Sequence, residues 1–378
     1  MFADNQKEEE EEEVPIHGDL LEVVLSHLPL VDLAPACYVS RSWNDAVFSS
    51  LANLSEVKPW LLVHTQGIMS SRGRTVHAYD PRSSAWVKID SPAMKFKADL
   101  RSSSSNFLYA LSSRKLSFSL DPLHVSWRQV DAPRVWRVDP IVAVVGSRII
   151  VAGGGSEYED DPLAVEVYDM ESGGWVTCQS MPVILKNIAA PTWLSVAANE
   201  KTMFVTEKSS GVTYTFSPDT KTWEGLFDLR ADSGVFFSTA GFAGDDMILA
   251  GLIGHFQDVQ GASLWKVNLE TMGCELIGEM PSEFVEKLKG ENSNLSSISI
   301  LSAKDFVYVY NSSDPEELVF CEFSGHGGCR WGAVRNILWT DARRVTETMV
   351  FSCGRVEIAD LQGAMKSFNR KFVVKPIA

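Results

Sequence analysis

The chain has 378 residues, 45% of them apolar, which is enough to fill a large core and leaves room for one ring-shaped domain plus one small one. No apolar run approaches the ~18 residues needed to cross a bilayer. Glutamates stand near the N-terminus where a secretory signal would carry lysines and an apolar stretch, so cytoplasm or nucleus is the expected location. Lys and Arg number 34 against 49 Asp and Glu, a net charge of −15, and without a cationic field to release counterions the chain is a poor candidate for binding nucleic acid.

Residues 1 to 13 end in six consecutive glutamates, Glu8 to Glu13. Like charges repel and nothing in the segment can be buried, which predicts a disordered acidic tail. From Val14 the apolar residues take up helical spacing: Ile16, Leu20, Val24 and Leu28 are four apart, with Leu21 and Leu25 alongside. Asp19 and Glu22 are placed to form a capping box, Pro29 to end the helix, Asp32 to cap a second short turn, and Ser40 or Ser42 to open a third helix carrying Trp43, Val47 and Leu51. Three short helices cannot bury so many large apolar side chains among themselves, so residues 14 to 57 read as a small helical domain that needs a partner surface.

That stretch resembles an F-box. Val14-Pro15 stands where the family opens on leucine-proline, with Val in place of Leu and His17-Gly18 where acidic residues are common; Asp19-Leu20-Leu21 through Leu28-Pro29 forms the middle and Val39-Ser40-Arg41-Ser42-Trp43 the end. The resemblance implies an all-α domain that docks on a Skp-type adaptor, itself tied to a cullin scaffold. It implies Pro15, Ile16, Leu20, Leu21, Val24, Leu28, Pro29, Val39 and Trp43 as the adaptor-binding residues.

From residue 58 to 378 the chain reads as strands and turns. One figure recurs: an aromatic or aliphatic residue, an acidic or turn-forming pair, and a tryptophan seven positions on. It appears as Tyr79 with Trp86, Leu120 with Trp127, Tyr168 with Trp175 and Phe216 with Trp223, then more weakly as Val267 with Cys274 and Phe323 with Trp331, eight apart. From Trp86 to Trp331 is 245 residues in five intervals, a mean period of 49. A period near 50 built of short strands is the mark of a propeller blade, whose small sheet must stack on its neighbours to bury both faces. Six blades are preferred to seven. Second strands are expected at 60–64, 107–111, 148–153, 203–206, 247–251 and 306–310. Because the first blade has only three strands before the helical domain interrupts it, a strand from the C-terminal segment, Thr348 to Cys353, is expected to close the ring beside it.

Gly153-Gly154-Gly155 resembles the double glycine of kelch repeats, and most other blades have lost it. No GK[ST] follows it, so it reads as a blade turn and not a phosphate cradle. The seven histidines show no metal-ligand spacing, no GxSxG elbow is present, and the acidic run Glu157, Glu159, Asp160, Asp161 reads as a solvated loop. The six cysteines, at 37, 178, 274, 321, 329 and 353, form no CxxC and read as reduced core thiols. A non-catalytic protein with no metal or cofactor is the expectation. Loops joining second to third strands share one propeller face with the connections between blades, and there Arg134, Trp136, Arg137, Tyr158, Glu159, Asp161 and Phe256 are the candidate substrate-binding residues, Tyr, Trp and Arg being frequent interface anchors.

Domain order and the segments IHGDLLEVVLSHLPLVDLAPAC, APRVWRVDPIVAVVG, TWLSVA and VTEKSSGVT resemble the plant kelch-repeat F-box proteins that control phenylpropanoid and flavonoid synthesis, most closely those directed at chalcone synthase. The resemblance implies the substrate receptor of an SCF ubiquitin ligase, with chalcone synthase or phenylalanine ammonia-lyase marked for the proteasome. The competing reading is a kelch scaffold protein with no ligase role.

Overall fold

Except in the second blade, where Phe118 faces Arg128 and Leu120 and Trp127 both lie in the turn beyond the strands, the recurring seven-residue spacing is the register of a hairpin. Tyr79 faces Trp86, Tyr168 faces Trp175, Phe216 faces Trp223 and Val267 faces Cys274 across adjacent antiparallel strands. In the first three pairs the rings are tilted with centroids 5.1 to 5.5 Å apart, the arrangement that aligns a negative ring face with a positive edge. Two of these tryptophans also join blades: Trp175 Nε1 donates to Asp131 O at 2.9 Å and Trp223 Nε1 to Gln179 O at 3.1 Å. The pairing expected between Phe323 and Trp331 is not formed. Phe323 faces Cys329 and Trp331 faces Cys321, because these strands pair down to Ser324 opposite Gly328, which places the partner of Phe323 six residues on and not eight.

A computed structural model describes residues 18–52, 58–67, 75–90, 98–156, 158–185, 190–290, 295–324, 328–340 and 347–375. The acidic tail, Pro15 and Ile16 lie outside these. Three helices, α1 (Asp19–Ser26), α2 (Leu30–Ala36) and α3 (Arg41–Ala52), precede six antiparallel sheets forming a six-bladed propeller. Blade 1 contains β1 (Trp60–Gly67), β2 (Thr75–Asp80) and β3 (Ala85–Asp90); blade 2 runs from Leu100 to Asp131, blade 3 from Ile141 to Cys178, blade 4 from Leu194 to Asp228, blade 5 from Val235 to Glu279 and blade 6 from Ile298 to Arg335. Each expected second strand occupies that place in its sheet. Blade strands such as Val165–Asp169 are buried on both faces, Glu166 and Tyr168 included, since each sheet is sandwiched between two others.

The C-terminal segment finishes blade 1 twice. The strand Glu347–Gly354 pairs with β1 as the innermost strand, Leu61 facing Cys353 and Val63 facing Phe351, as the missing-strand argument predicts. A second strand, Lys371–Lys375, pairs with β3 on the outside and makes this sheet five-stranded, which the sequence reading did not anticipate. Between them runs a helix, Ile358–Ser367, opened by a reciprocal capping box in which Glu357 N donates to Asp360 Oδ2 at 2.8 Å.

The three N-terminal helices share one core with this blade. Leu21, Leu25, Leu33, Ala34 and Val47 pack with Trp60, Leu62, Val87 and Ile89 of the sheet and with Ile358, Leu361 and Ala364 of the C-terminal helix. Polar contacts fix the angle. Asp80, at the end of β2, closes its own turn by accepting from Arg82 N at 3.0 Å and Ser83 Oγ at 2.9 Å, and also accepts from Leu30 N, the first residue of α2, at 3.2 Å. Arg82 Nη2 donates to Leu25 O and Ser26 O at 3.1 and 3.0 Å, a cation on the last carbonyls of α1 where the helix dipole favours it. The expected Asp19–Glu22 box is absent: α1 is capped by Gly18 at φ 59° with no side-chain bond, so both acids fall inside the first turn. Ser40 does cap α3, its Oγ accepting from Trp43 N at 3.2 Å.

Two predictions follow from this closure. Truncation after Arg335 removes the inner strand of blade 1 and leaves its edge unpaired, so the protein is expected to elute as aggregate in size-exclusion chromatography. Burial depresses His124 to a pKa of about 3; its Nε2 meets Ser352 Oγ at 3.0 Å and its ring lies 5.4 Å from that of His64. The folded state thus binds fewer protons than the unfolded state between the unfolded histidine value near 6.5 and about 3. Stability is full above pH ~6.5 and falls as pH drops through that window. Denaturant melts should show a shallower acid limb for His124→Asn, asparagine being tolerant of the φ of 50° found there.

Candidate functional site

Two exposed surfaces stand at opposite ends of blade 1's strands. The first belongs to the helices. On α1 the apolar residues split into two stripes: Leu21 and Leu25 turn inward, while Leu20 (61% exposed), Val23 and Val24 face solvent. Val39, Tyr38 and Phe48 are also bare. Of the residues assigned to the adaptor, then, Leu20, Val24 and Val39 are open to a partner, and Leu28 and Trp43 are partly buried against the core, with Pro29 half-buried beside them. Leu21 is a correction: it is 3% exposed and packs within the molecule, so it positions the helix and offers no docking surface. Val23, Tyr38 and Phe48 were missed; Val23 lies three residues after Leu20, the other half of the helical repeat.

The second surface is formed by the loops that follow second strands and the connections between blades, at the end of the strands away from Asp80 and Arg82. Here the structure redistributes the candidates. Arg137 is 2% exposed; its Nη2 lies 3.0 Å from Glu166 Oε2, and its Nη1 donates to Gly153 O and Ala164 O at 2.6 and 2.8 Å. Glu166 also accepts from Arg134 N and Val135 N at 2.8 and 3.1 Å. Burial lowers the Arg137 pKa, and the Glu166 carboxylate opposes that shift. Arg137 therefore fastens the blade-3 turn and is not available to a substrate, which corrects its assignment. The glycines explain the turn's tightness: Gly154 adopts φ 67°, and a Cβ there would sit 2.6 Å from the carbonyl carbon of Asp139. Asp161 is likewise engaged inside its loop, accepting from Leu163 N at 3.0 Å and from Ser180 Oγ.

Arg134, Trp136, Tyr158 and Phe256 are exposed and Glu159 is half-buried; Tyr158 is 99% exposed, and the Phe256 ring lies tilted against that of His255 with centroids 4.5 Å apart. Trp136 borders a cleft of about 350 Å³ with Tyr109, Val138 and Arg101, the last ion-paired to Asp139. Burial pushes Tyr109 up to about 12. Arg101 and Tyr109 also line a wider space of about 570 Å³ together with Tyr310, Trp339 and Met349. Tyr158 and Phe256 line neither space. Val138, Val183, Ile184 and Trp193 are exposed on inter-blade connections of this face and were missed; the signal available was an apolar pair, Val183-Ile184, just after Pro182 in a surface connection.

A helical unit with a bare apolar stripe, locked to a propeller whose opposite face carries aromatic loops, is a two-ended binding protein. The F-box domain pattern matches residues 18–52. An F-box/kelch-repeat protein of Arabidopsis thaliana is 42% identical over 372 residues, covering 94% of each chain. The chain belongs to the F-box/kelch-repeat protein family. Among solved structures, a putative 6-phosphogluconolactonase from Bacteroides uniformis aligns at a TM-score of 0.43 and 15% identity over 74% of this chain and 97% of that one, too slight a likeness to bear on fold or activity.

The two kinds of loop residue should separate by stability. Arg137→Ala leaves the Glu166 carboxylate buried without its cation and is expected to cost about 3–5 kcal/mol in urea unfolding. Tyr158→Ala should stay within about 0.5 kcal/mol of the parent.

Proposed function

We propose that this protein is the non-catalytic substrate-recognition subunit of an SCF-type ubiquitin ligase, acting in the cytoplasm or nucleus. Its F-box holds a Skp-type adaptor joined to a cullin scaffold. Its propeller presents a protein to a conjugating enzyme elsewhere in the complex. The observation that carries this reading is the outward stripe of Leu20, Val23 and Val24 on a helix whose other side is already packed on blade 1. Apolar side chains that the fold leaves bare on so small a unit are costly unless another protein covers them.

The loop face supports the second half of the reading. It lies at the far end of the blade from the F-box and joins Trp136, Val138, Trp193 and Tyr158 in a surface rich in interface anchors. Because the F-box and propeller share a core, adaptor and substrate are held at a fixed separation, which raises the effective concentration of target lysines near the conjugating enzyme. The substrate is proposed to be a phenylpropanoid or flavonoid enzyme, chalcone synthase first and phenylalanine ammonia-lyase second. That choice rests on the likeness of sequence segments to plant kelch F-box proteins and not on any cleft chemistry.

Leu20→Asp alters an exposed position, so the protein is expected to melt at the parent temperature yet lose co-precipitation of the adaptor. Adaptor capture that survives this substitution rejects the docking face. Purified from plant cells, the full-length protein should carry chalcone synthase with it, and in those cells the enzyme's half-life should lengthen when Leu20→Asp replaces the parent; recovery of neither biosynthetic enzyme rejects the substrate assignment.

A further inference from the structure

The F-box pattern ends at residue 52, but the helical unit does not. Its fourth wall is the helix Ile358–Ser367 from the other end of the sequence: Ile358, Leu361 and Ala364 lie in the same core as Leu30, Val31, Leu33 and Ala34 of α2, and Met365 packs against its edge. This helix also reaches the outer surface beside the F-box. Lys366 Nζ sits 4.2 Å from the centroid of the Tyr38 ring, a cation over an exposed aromatic face, and Tyr38 adjoins Val39 at the end of α2. Two residues beyond Lys366, Phe368 is 42% exposed although it ends a helix whose other large apolar residues are covered. Tyr38, Val39 and Lys366 thus form a patch to which both ends of the chain contribute, and Phe368 is exposed two residues further along the chain.

We propose that the adaptor's footprint extends past the F-box onto this patch, with Phe368 entering an apolar recess of the adaptor and Lys366 meeting an acidic side chain at its rim. The inference rests on the adaptor reading given above and adds to it a contact outside the family's domain. Its support is continuity: Lys366 lies directly on Tyr38, so an adaptor covering Tyr38 and Val39 must touch or displace it. Lys366 sets a cation at the edge of an exposed aromatic ring, where an acidic group on the adaptor would complement it.

The test measures binding of the full-length protein to a purified plant Skp-type adaptor by biolayer interferometry, with thermal unfolding of every variant. Lys366→Glu and Phe368→Ser, both at exposed positions, should each weaken binding about five- to tenfold, mainly through faster dissociation, at an unchanged melting temperature; Lys366→Arg should bind like the parent. Amides 365–370 should exchange hydrogen more slowly in the complex. Affinities within twofold of the parent for Lys366→Glu and Phe368→Ser, while Leu20→Asp abolishes binding, overturn the extended footprint and leave the F-box reading standing. Binding unaffected by all three substitutions rejects both. Light scattering that shows a dimer dissolved by Phe368→Ser assigns the patch to a second copy of this chain and also overturns the proposal.

Discussion

Blade 1 depends on hydrogen bonds between residues nearly 300 positions apart. The strand Glu347–Gly354 lies against β1, with Trp60 opposite Gly354 and Gly67 opposite Glu347, and this pairing removes two open edges at once. Everything at the helical end rests on it. Trp60 and Leu62 of β1 form the floor under the F-box helices, and the helix that follows the closing strand forms one of their walls. The F-box is therefore built onto a sheet that the N-terminal half of the chain cannot complete by itself.

Polar groups in the repeat do different work according to where the blade sits. Asp121 and Asp169 take backbone N–H groups of their own turns, and Asp169 adds an ion pair with Arg148 of the neighbouring strand in the same blade. Asp80 closes its turn in the same way but also receives the first N–H of α2, and neighbouring Arg82 closes the carbonyl end of α1. A turn residue that serves its own blade in blades 2 and 3 has become the joint between domains in blade 1. On the opposite face, Arg137 and Glu166 show the same economy: a buried ion pair holds a glycine turn, and the residues around it are released to face solvent.

The propeller was legible because hairpin register prints itself on sequence as a fixed interval, and cross-strand aromatic pairs keep that interval even when the glycines have gone. The closing strand was legible by arithmetic, a blade with three strands lacking a fourth. The outer strand Lys371–Lys375 and the helix before it were not, because nothing in blade 1 calls for a fifth strand and the helix finds its partner more than 300 residues away. Site residues were harder. Leu20 and Leu21 are chemically alike and adjacent, and only packing decides that one is bare and the other covered. Arg137 resembles Arg134 in a loop, yet a glutamate 29 residues later in the next hairpin draws it inside.

The union of chain ends in one helical unit has a consequence for synthesis. A ribosome delivers residues 18–52 first, but the surface they pack on needs β1 paired with residues 347–354 and the helix 358–367 in place. Until those last residues emerge, the N-terminal helices have no settled seat, and a nascent or prematurely terminated receptor lacks the platform that orients it. The order of translation thus acts as an inspection step: only a chain read through to its end can assemble the part that comes first.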